Sequence, residues 1–445
     1  MSLSSSASFD SCNASSVSPS VAAAVAADAV RSNQPAETTA TSSTATANTL
    51  PFAAKQVTQL PLYVFAELAR IKNEVRASGM ELVDLGMGNP DRPTPPLVLE
   101  ALQQAIADPA NHAYPDFEGK QSFRDSVCHF MQRRYNVSLC SKTEVQPLIG
   151  SKEGIANIIL GYLDEGETIL VPSLYYPVYM RAASLASADI HYLPMHQEND
   201  FLIDLDAIPE SVAKRAKMLL LNYPNNPTGV EAPRAFLQKV VDFCRKYHIV
   251  LVSDMAYGEI AYDGYQPISI LEIEGAKDVA IEFHSFSKTF NMAGWRLGFA
   301  VGNPQIIRTL YRAKTTMDYG VCNAIQDAGA AALNHYETLI GDVVSEYQAR
   351  RDYMVPALRA LGWQMKEPKA SFYLWMQIPA TAENSNQFVE QVMRQTGVVF
   401  TPGRAFGQAG DRYVRLSLVS PLAKLQEAVE RLKHHGVYGD AYQRL

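Results

Sequence analysis

Val279-Ala-Ile-Glu-Phe283 runs directly into His284-Ser-Phe-Ser-Lys288-Thr-Phe-Asn-Met292-Ala-Gly-Trp-Arg296-Leu-Gly298. A short apolar run bounded by polar residues reads as a buried strand. In open α/β sheets, ligand sites lie on the loops that leave the carboxyl ends of such strands. Lys288 stands there between hydroxyls and the apolar side chains of Phe286, Phe290, Met292 and Trp295. An amine partly removed from water has a lowered pKa, which makes it a Schiff-base former; a solvated loop lysine would not keep such neighbours. Gly294, Gly298 and Gly302 imitate a membrane-helix spacing, but Arg296 and the short apolar run exclude that reading.

Outward from this stretch the same pattern repeats. Glu81–Leu85, Val145–Ile149, Thr168–Val171, Ile190–Leu193, Met218–Leu221 and Ile249–Val252 are further apolar runs, and Ile155–Leu163, Arg234–Tyr247 and Gln305–Thr315 have helical periodicity between them. Strands alternating with helices predict an α/β fold with a mainly parallel sheet covered on both faces. After about residue 330 the grain changes. A long charged helix (Tyr336–Leu361), strands near Ser371–Gln377 and Tyr413–Leu418, and helices near Asn386–Arg394 and Leu422–His434 read as a smaller α+β domain. The expected organisation is a tail (1–54), an arm with part of the small domain (55–95), a large domain (96–330) and a C-terminal small domain (331–445).

The other strand ends carry chemistry too. Gly150-Ser151-Lys152 opens a helix, where free N–H groups, a hydroxyl and the positive dipole end suit a phosphate; an ordinary Ser cap is the plainer reading. Asn222-Tyr-Pro-Asn-Asn226-Pro-Thr-Gly229 is a proline-fixed turn that can aim an amide donor into a pocket. Asp254, ending a buried run just before Tyr257, needs a cation or donors there, or serves as a helix cap.

Bulk composition removes other classes. The 445 residues are 47% hydrophobic and 19% charged, with 39 basic against 46 acidic side chains and a net charge of −7. No basic block suggests nucleic acid, no run approaches the roughly 18 apolar residues of a membrane span, and nine scattered histidines show no metal-ligand spacing. The five cysteines (12, 128, 140, 244, 322) lack any paired spacing, which predicts a reducing, cytoplasmic setting. The Ser/Ala/Thr-rich tail, poor in aromatics, is expected to be disordered; with one Arg against three acids it is a poor organelle-targeting sequence.

A phosphate seat, an amide donor, a strand-end acid, a Tyr and a desolvated Lys with an Arg together ask for pyridoxal 5'-phosphate. The chain at this point resembles the fold-type I aminotransferases of class I/II, over about residues 55–435. Its likeness is greatest to the branch of alanine (glutamate–pyruvate) transaminases and LL-diaminopimelate aminotransferases. The resemblance rests on Ser285-Phe-Ser-Lys288 with Met292-Ala-Gly-Trp-Arg296, and on Asn225-Asn-Pro-Thr-Gly229. Leu60-Pro-Leu-Tyr-Val-Phe65, Gly86-Met-Gly-Asn-Pro-Asp91, Pro368-Lys-Ala-Ser-Phe-Tyr-Leu-Trp375 and Pro402-Gly403…Phe406-Gly407 extend it.

The resemblance implies the roles that follow. Lys288 carries the cofactor as a Schiff base and shuttles the substrate proton, and Asp254 pairs with the pyridine nitrogen. Asn226 and Tyr257 hydrogen-bond the ring hydroxyl, Tyr176 stacks on the ring (Tyr175 being the alternative), and Ser151, Lys152, Ser285, Ser287 and Arg296 seat the phosphate. Arg415 clamps the substrate α-carboxylate, with Tyr63 and the Gly88 backbone nearby. Tyr114 reaches the phosphate of a neighbouring subunit, which implies a homodimer with shared sites. The implied reaction is ping-pong transfer of an amino group from an L-amino acid to a 2-oxo acid. Alanine transamination is the first expectation and LL-diaminopimelate the alternative, with a pyridoxal-phosphate lyase behind both. Arg404 is a further candidate, for a distal substrate carboxylate; a solvated loop arginine is the plain alternative.

Overall fold

The structure of the protein, a computed structural model, describes residues 53–61 and 64–441. Tyr63 and the tail 1–52 lie outside the described residues, and with them the expectations attached to both.

Seven strands form the main sheet: β2 (Val145–Leu148), β3 (Thr168–Pro172), β4 (Asp189–Leu193), β5 (Ala216–Leu221), β6 (Val250–Asp254), β7 (Ala280–Ser285) and β8 (Gly298–Gly302), after a short β1 (Val83–Asp84) elsewhere. Their order is β2-β8-β7-β6-β5-β3-β4. Every neighbouring pair is parallel except those of β8, which runs antiparallel to both β2 and β7. The sequence pattern gave no strand at 298–302. The chain leaves β7, makes the Lys288 turn, and returns beside the strand it left, as sequence neighbours commonly do. Its Gly298 is required by crowding: a Cβ there would lie 2.6 Å from the His284 carbonyl oxygen and 2.9 Å from the Ser151 amide.

Alternation along the strands divides the core. Leu170, Leu219, Leu251 and Phe299 share a core on one face with α2 (Pro96–Ala107), α3 (Gln121–Tyr135), α6 (Arg234–Tyr247) and α8 (Asn323–Asn334). Ile169, Leu220, Val252 and Ile281 pack on the other face with α4 (Ser151–Tyr162), α5 (Val178–Leu185) and α7 (Pro304–Met317). Each fully buried Leu or Ile contributes roughly 1.5–3 kcal/mol relative to exposure, so both faces are strongly specified.

A further core lies among α1 (Val64–Ala77), α9 (Tyr336–Ala360), α10 (Ser385–Thr396) and α11 (Leu422–His434). It includes an antiparallel sheet, β11 (Thr401–Pro402), β12 (Tyr413–Ser417) and β9 (Tyr373–Gln377), in that order. Here one expectation is corrected. The Glu81–Leu85 run does not join the main sheet; β1 pairs in parallel with β10 (Val398–Val399). An isolated apolar run cannot state which sheet it enters.

Candidate active site

A cleft of about 300 Å³ opens where the carboxyl ends of β5, β6 and β7 meet β9 and β12. That is the lower end of the usual range for small-molecule sites.

Lys288 sits in a single helical turn, Phe286–Thr289, directly after β7; Ser285 Oγ caps it by accepting from the Ser287 amide at 3.2 Å. Phe286, Phe290 and Met292 are buried beneath the turn and fix it. The Lys288 Nζ donates to the Gly88 carbonyl oxygen at 2.5 Å. Burial first, then the charges of Arg415 and Arg296, push the amine down to about 8. A substantial neutral fraction therefore exists near neutral pH, as a nucleophile requires.

Asp254 ends β6 and is buried, which raises its carboxyl to about 6. Two donors oppose that shift: the buried Tyr179 hydroxyl at 2.7 Å on Oδ2 and the Ala256 amide at 3.3 Å on Oδ1. Asn222 ties the following turn to this strand. Its Nδ2 donates to the Asp254 carbonyl oxygen at 2.7 Å, and its Oδ1 accepts from the Asn226 amide at 2.7 Å. Asn225 braces the turn, its Oδ1 accepting from the Thr228 amide and hydroxyl. The turn is thus a hydrogen-bonded platform for Asn226.

Asn226 Oδ1 accepts from Arg415 Nη1 at 2.7 Å, which leaves its Nδ2 as the available donor. Arg415 is 3% exposed and its Nη2 donates to the Gly86 carbonyl oxygen at 2.8 Å, while its Nε has no hydrogen-bond partner. Its guanidinium carbon lies 4.0 Å from the Tyr373 ring centroid and 4.5 Å from that of Phe406. An arginine so held, with a buried donor unpaired, is prepared for a carboxylate.

The phosphate candidates also converge. Ser151, Lys152, Ser285, Ser287 and Arg296 all line the cleft. Gly150, not Ser151, occupies the cap position of α4, and Ser151 is the first helical residue, so the plain Ser-cap reading is corrected. A Cβ on Gly150 would collide with Arg296 Nη2, and the residue has a φ of 81°. Arg296 donates to the Ala293 carbonyl oxygen at 2.9 Å and to Ser287 Oγ at 3.4 Å. Burial and the Arg296 and Arg181 charges lower the Lys152 pKa.

Tyr176, Tyr257 and Gly88 line the cleft and Tyr175 does not; Tyr175 stacks on Tyr192 with centroids 5.6 Å apart. Tyr114 is 80% exposed against Tyr319 and takes no part in this chain's cleft. Arg404 also lies outside it, in the Gly403–Phe406 turn, with its guanidinium on Asp411 at 3.0 Å. The suggested distal-carboxylate role is corrected accordingly, because a carboxylate of the protein already holds that arginine. Sequence reasoning gave no role to Asn222, Tyr179, Tyr373 or Phe406. Tyr179 lies in the first turn of α5, its ring centroid 6.1 Å from that of Tyr176, which precedes the helix.

The donor set fits pyridoxal 5'-phosphate. Four cationic side chains, Lys152, Lys288, Arg296 and Arg415, line the cleft against one carboxylate, Asp254, so the site is built for anions. The unpaired Arg415 Nε and the crowded Gly150 cradle agree with a phosphate and a carboxylate as ligands.

Residues 80–432 match the family model described as aminotransferase class I and II. An LL-diaminopimelate aminotransferase of Nitratidesulfovibrio vulgaris is 45% identical over 380 residues, covering 85% of this chain and 98% of that protein. LL-diaminopimelate aminotransferase 2 of Nostoc is 44% identical over 385 residues, 86% and 98% of the two chains. Among solved structures, apo-BacF from Bacillus subtilis superposes with a TM-score of 0.84 at 37% identity, covering 87% of this chain and 99% of that one. A probable N-succinyldiaminopimelate aminotransferase from Thermus thermophilus gives 0.79 at 35% identity, covering 84% and 100%.

Proposed function

The chain belongs to the class I and II aminotransferases, and from that premise we propose that its amino donor is LL-diaminopimelate, with a 2-oxo acid as acceptor. As a member it is a pyridoxal-phosphate-dependent transaminase acting on amino and 2-oxo acids. The observation that carries the choice of donor is the near-complete, 45% identical alignment with a protein named for that substrate. It reverses the first expectation from sequence, which placed alanine ahead.

Pyridoxal 5'-phosphate supplies, when bound, the electron sink for the charge left on Cα as its proton departs. In the proposal Lys288 would hold it covalently, and its amine, largely desolvated and lowered to about 8, would carry the substrate's Cα proton to the cofactor carbon on the other side of the linking nitrogen. Asp254 would pair with the ring nitrogen and keep it protonated, while Tyr179 donates to Asp254 Oδ2. Asn226 Nδ2 and the Tyr257 hydroxyl would bind the ring hydroxyl, Tyr176 would cover the ring, and Ser151, Lys152, Ser285, Ser287 and Arg296, which line the same cleft, would bind the phosphate. Arg415 reads the α-carboxylate common to every amino acid, so discrimination lies at the far end of the donor. Met87 and Asn89, exposed residues of the cleft, are this chain's own candidates to meet it.

A homodimer with shared sites belongs to the same proposal. It is supported by Tyr114, whose exposed ring is free of this chain's cleft, and by exposed Ile106, Met317 and Tyr319. A cytoplasmic setting is inferred from the bacterial relatives and the four free cysteines among the described residues.

The test is a panel of donors with 2-oxoglutarate as acceptor on purified protein. LL-diaminopimelate is expected to give a kcat/KM at least 100-fold above alanine, a difference of about 2.7 kcal/mol in transition-state binding. Comparable or better use of alanine would return the protein to the alanine-type reading.

A further inference from the structure

Tyr373 stands at the junction of three parts of the site. It begins β9, and β12 places Arg415 opposite Trp375, so Tyr373 is the diagonal neighbour of Arg415 on the same sheet face. Its ring lies 4.0 Å below the guanidinium carbon, and Phe406 supports the other contact at 4.5 Å. Its hydroxyl is 3.0 Å from that of Tyr257, both residues being buried. The same hydroxyl fills the space where a Gly88 side chain would begin, and the Gly88 carbonyl is the acceptor for Lys288.

We propose that Tyr373 is a positioning residue that acts through two others: its hydroxyl orients the proton of Tyr257, and its ring holds Arg415 in place for the substrate carboxylate. The proposal rests on the roles given above to Tyr257 and Arg415. A tyrosine hydroxyl carries one proton. If Tyr257 donates its own to the ring hydroxyl of the cofactor, then Tyr373 must be the donor in the Tyr373–Tyr257 bond. That makes a directed relay, Tyr373 to Tyr257 to the ring oxygen, in which each bond polarises the next. Removing the Tyr373 proton weakens the donation from Tyr257. The ring oxygen becomes more basic, and the neighbouring nitrogen on Lys288 keeps its proton to higher pH. The ring contact acts separately, since a cation held over an aromatic face loses that attraction only when the ring is removed.

Three variants of the cofactor-loaded protein separate these parts: Tyr373→Phe, Tyr373→Leu and Tyr257→Phe. The readouts are the pH midpoint of the visible absorbance and the KM for the preferred amino donor. Tyr373→Phe is expected to raise the midpoint by about half a unit, leaving KM within about twofold. Tyr373→Leu is expected to add a rise in KM of about tenfold. A Tyr373→Phe midpoint equal to that of the wild type, beside a shifted Tyr257→Phe midpoint, overturns the relay while leaving the role of Tyr257 intact. An unshifted Tyr257→Phe protein removes the role of Tyr257 and the relay with it. An unchanged KM in Tyr373→Leu overturns the ring's part.

Discussion

Asp254→Asn in the cofactor-free protein should make the fold more stable and the site worse. Burial lifts the Asp254 carboxyl from 3.8 to about 6 despite the donors Tyr179 and Ala256. A raised folded-state pKa means that the neutral acid suits the fold, and that stability is lost as pH rises from the unfolded value through about 6. Two units at about 1.4 kcal/mol each make the ionised carboxylate cost about 3 kcal/mol at pH 8. Asparagine cannot ionise, and its amide oxygen can still accept from Tyr179. With residues 53–61 and 64–441 folded and roughly 2 cal/mol/K of unfolding entropy per residue, 3 kcal/mol corresponds to a Tm rise of about 4 °C. Scanning calorimetry of the two apoproteins at pH 8 and pH 4 measures it: the advantage should appear at pH 8 and mostly vanish near pH 4. A variant that melts at or below the wild type, by the same margin at both pH values, would refute the reasoning. In the proposed role the carboxylate pairs with the cofactor's ring nitrogen, so the same substitution should abolish turnover.

Two more outcomes follow from the site. The Lys288 amine, at about 8, should make the apoprotein's rate of reaction with pyridoxal rise about tenfold per pH unit up to pH 8 and then level, whereas an ordinary lysine would keep gaining to about 10.5; stopped-flow absorbance distinguishes the two. Gly150→Ala, which forces a Cβ onto Arg296 at a left-handed φ of 81°, should weaken cofactor binding at least tenfold in a dialysis titration while the far-ultraviolet spectrum stays native.

The strand ends were legible because buried parallel strands leave continuous Val/Ile/Leu runs, and polar residues that follow them at once, such as Asp254 and Lys288, have a reason to be there. The last helix, Leu422–His434, was readable to the residue from its periodicity. What was not legible depended on contacts distant in sequence. β8 is a five-residue strand between glycines, too short for a period to declare itself. Val83–Asp84 could not reveal that its partner lies at Val398–Val399. Arg404 and Arg415 stand eleven positions apart in similar company, yet one meets Asp411 at the surface and the other is enclosed between Tyr373 and Phe406. Tyr373 belongs with them: only the antiparallel register of β9 and β12 brings it under Arg415.

Lys288 is the residue proposed to carry pyridoxal 5'-phosphate. Borohydride reduction of the loaded protein, followed by digestion and mass spectrometry, fixes the cofactor to whichever lysine holds it. One reduced pyridoxyl group is expected, on Lys288. A stoichiometric label on Lys152, the other lysine of the cleft, or on any lysine outside it would contradict the account.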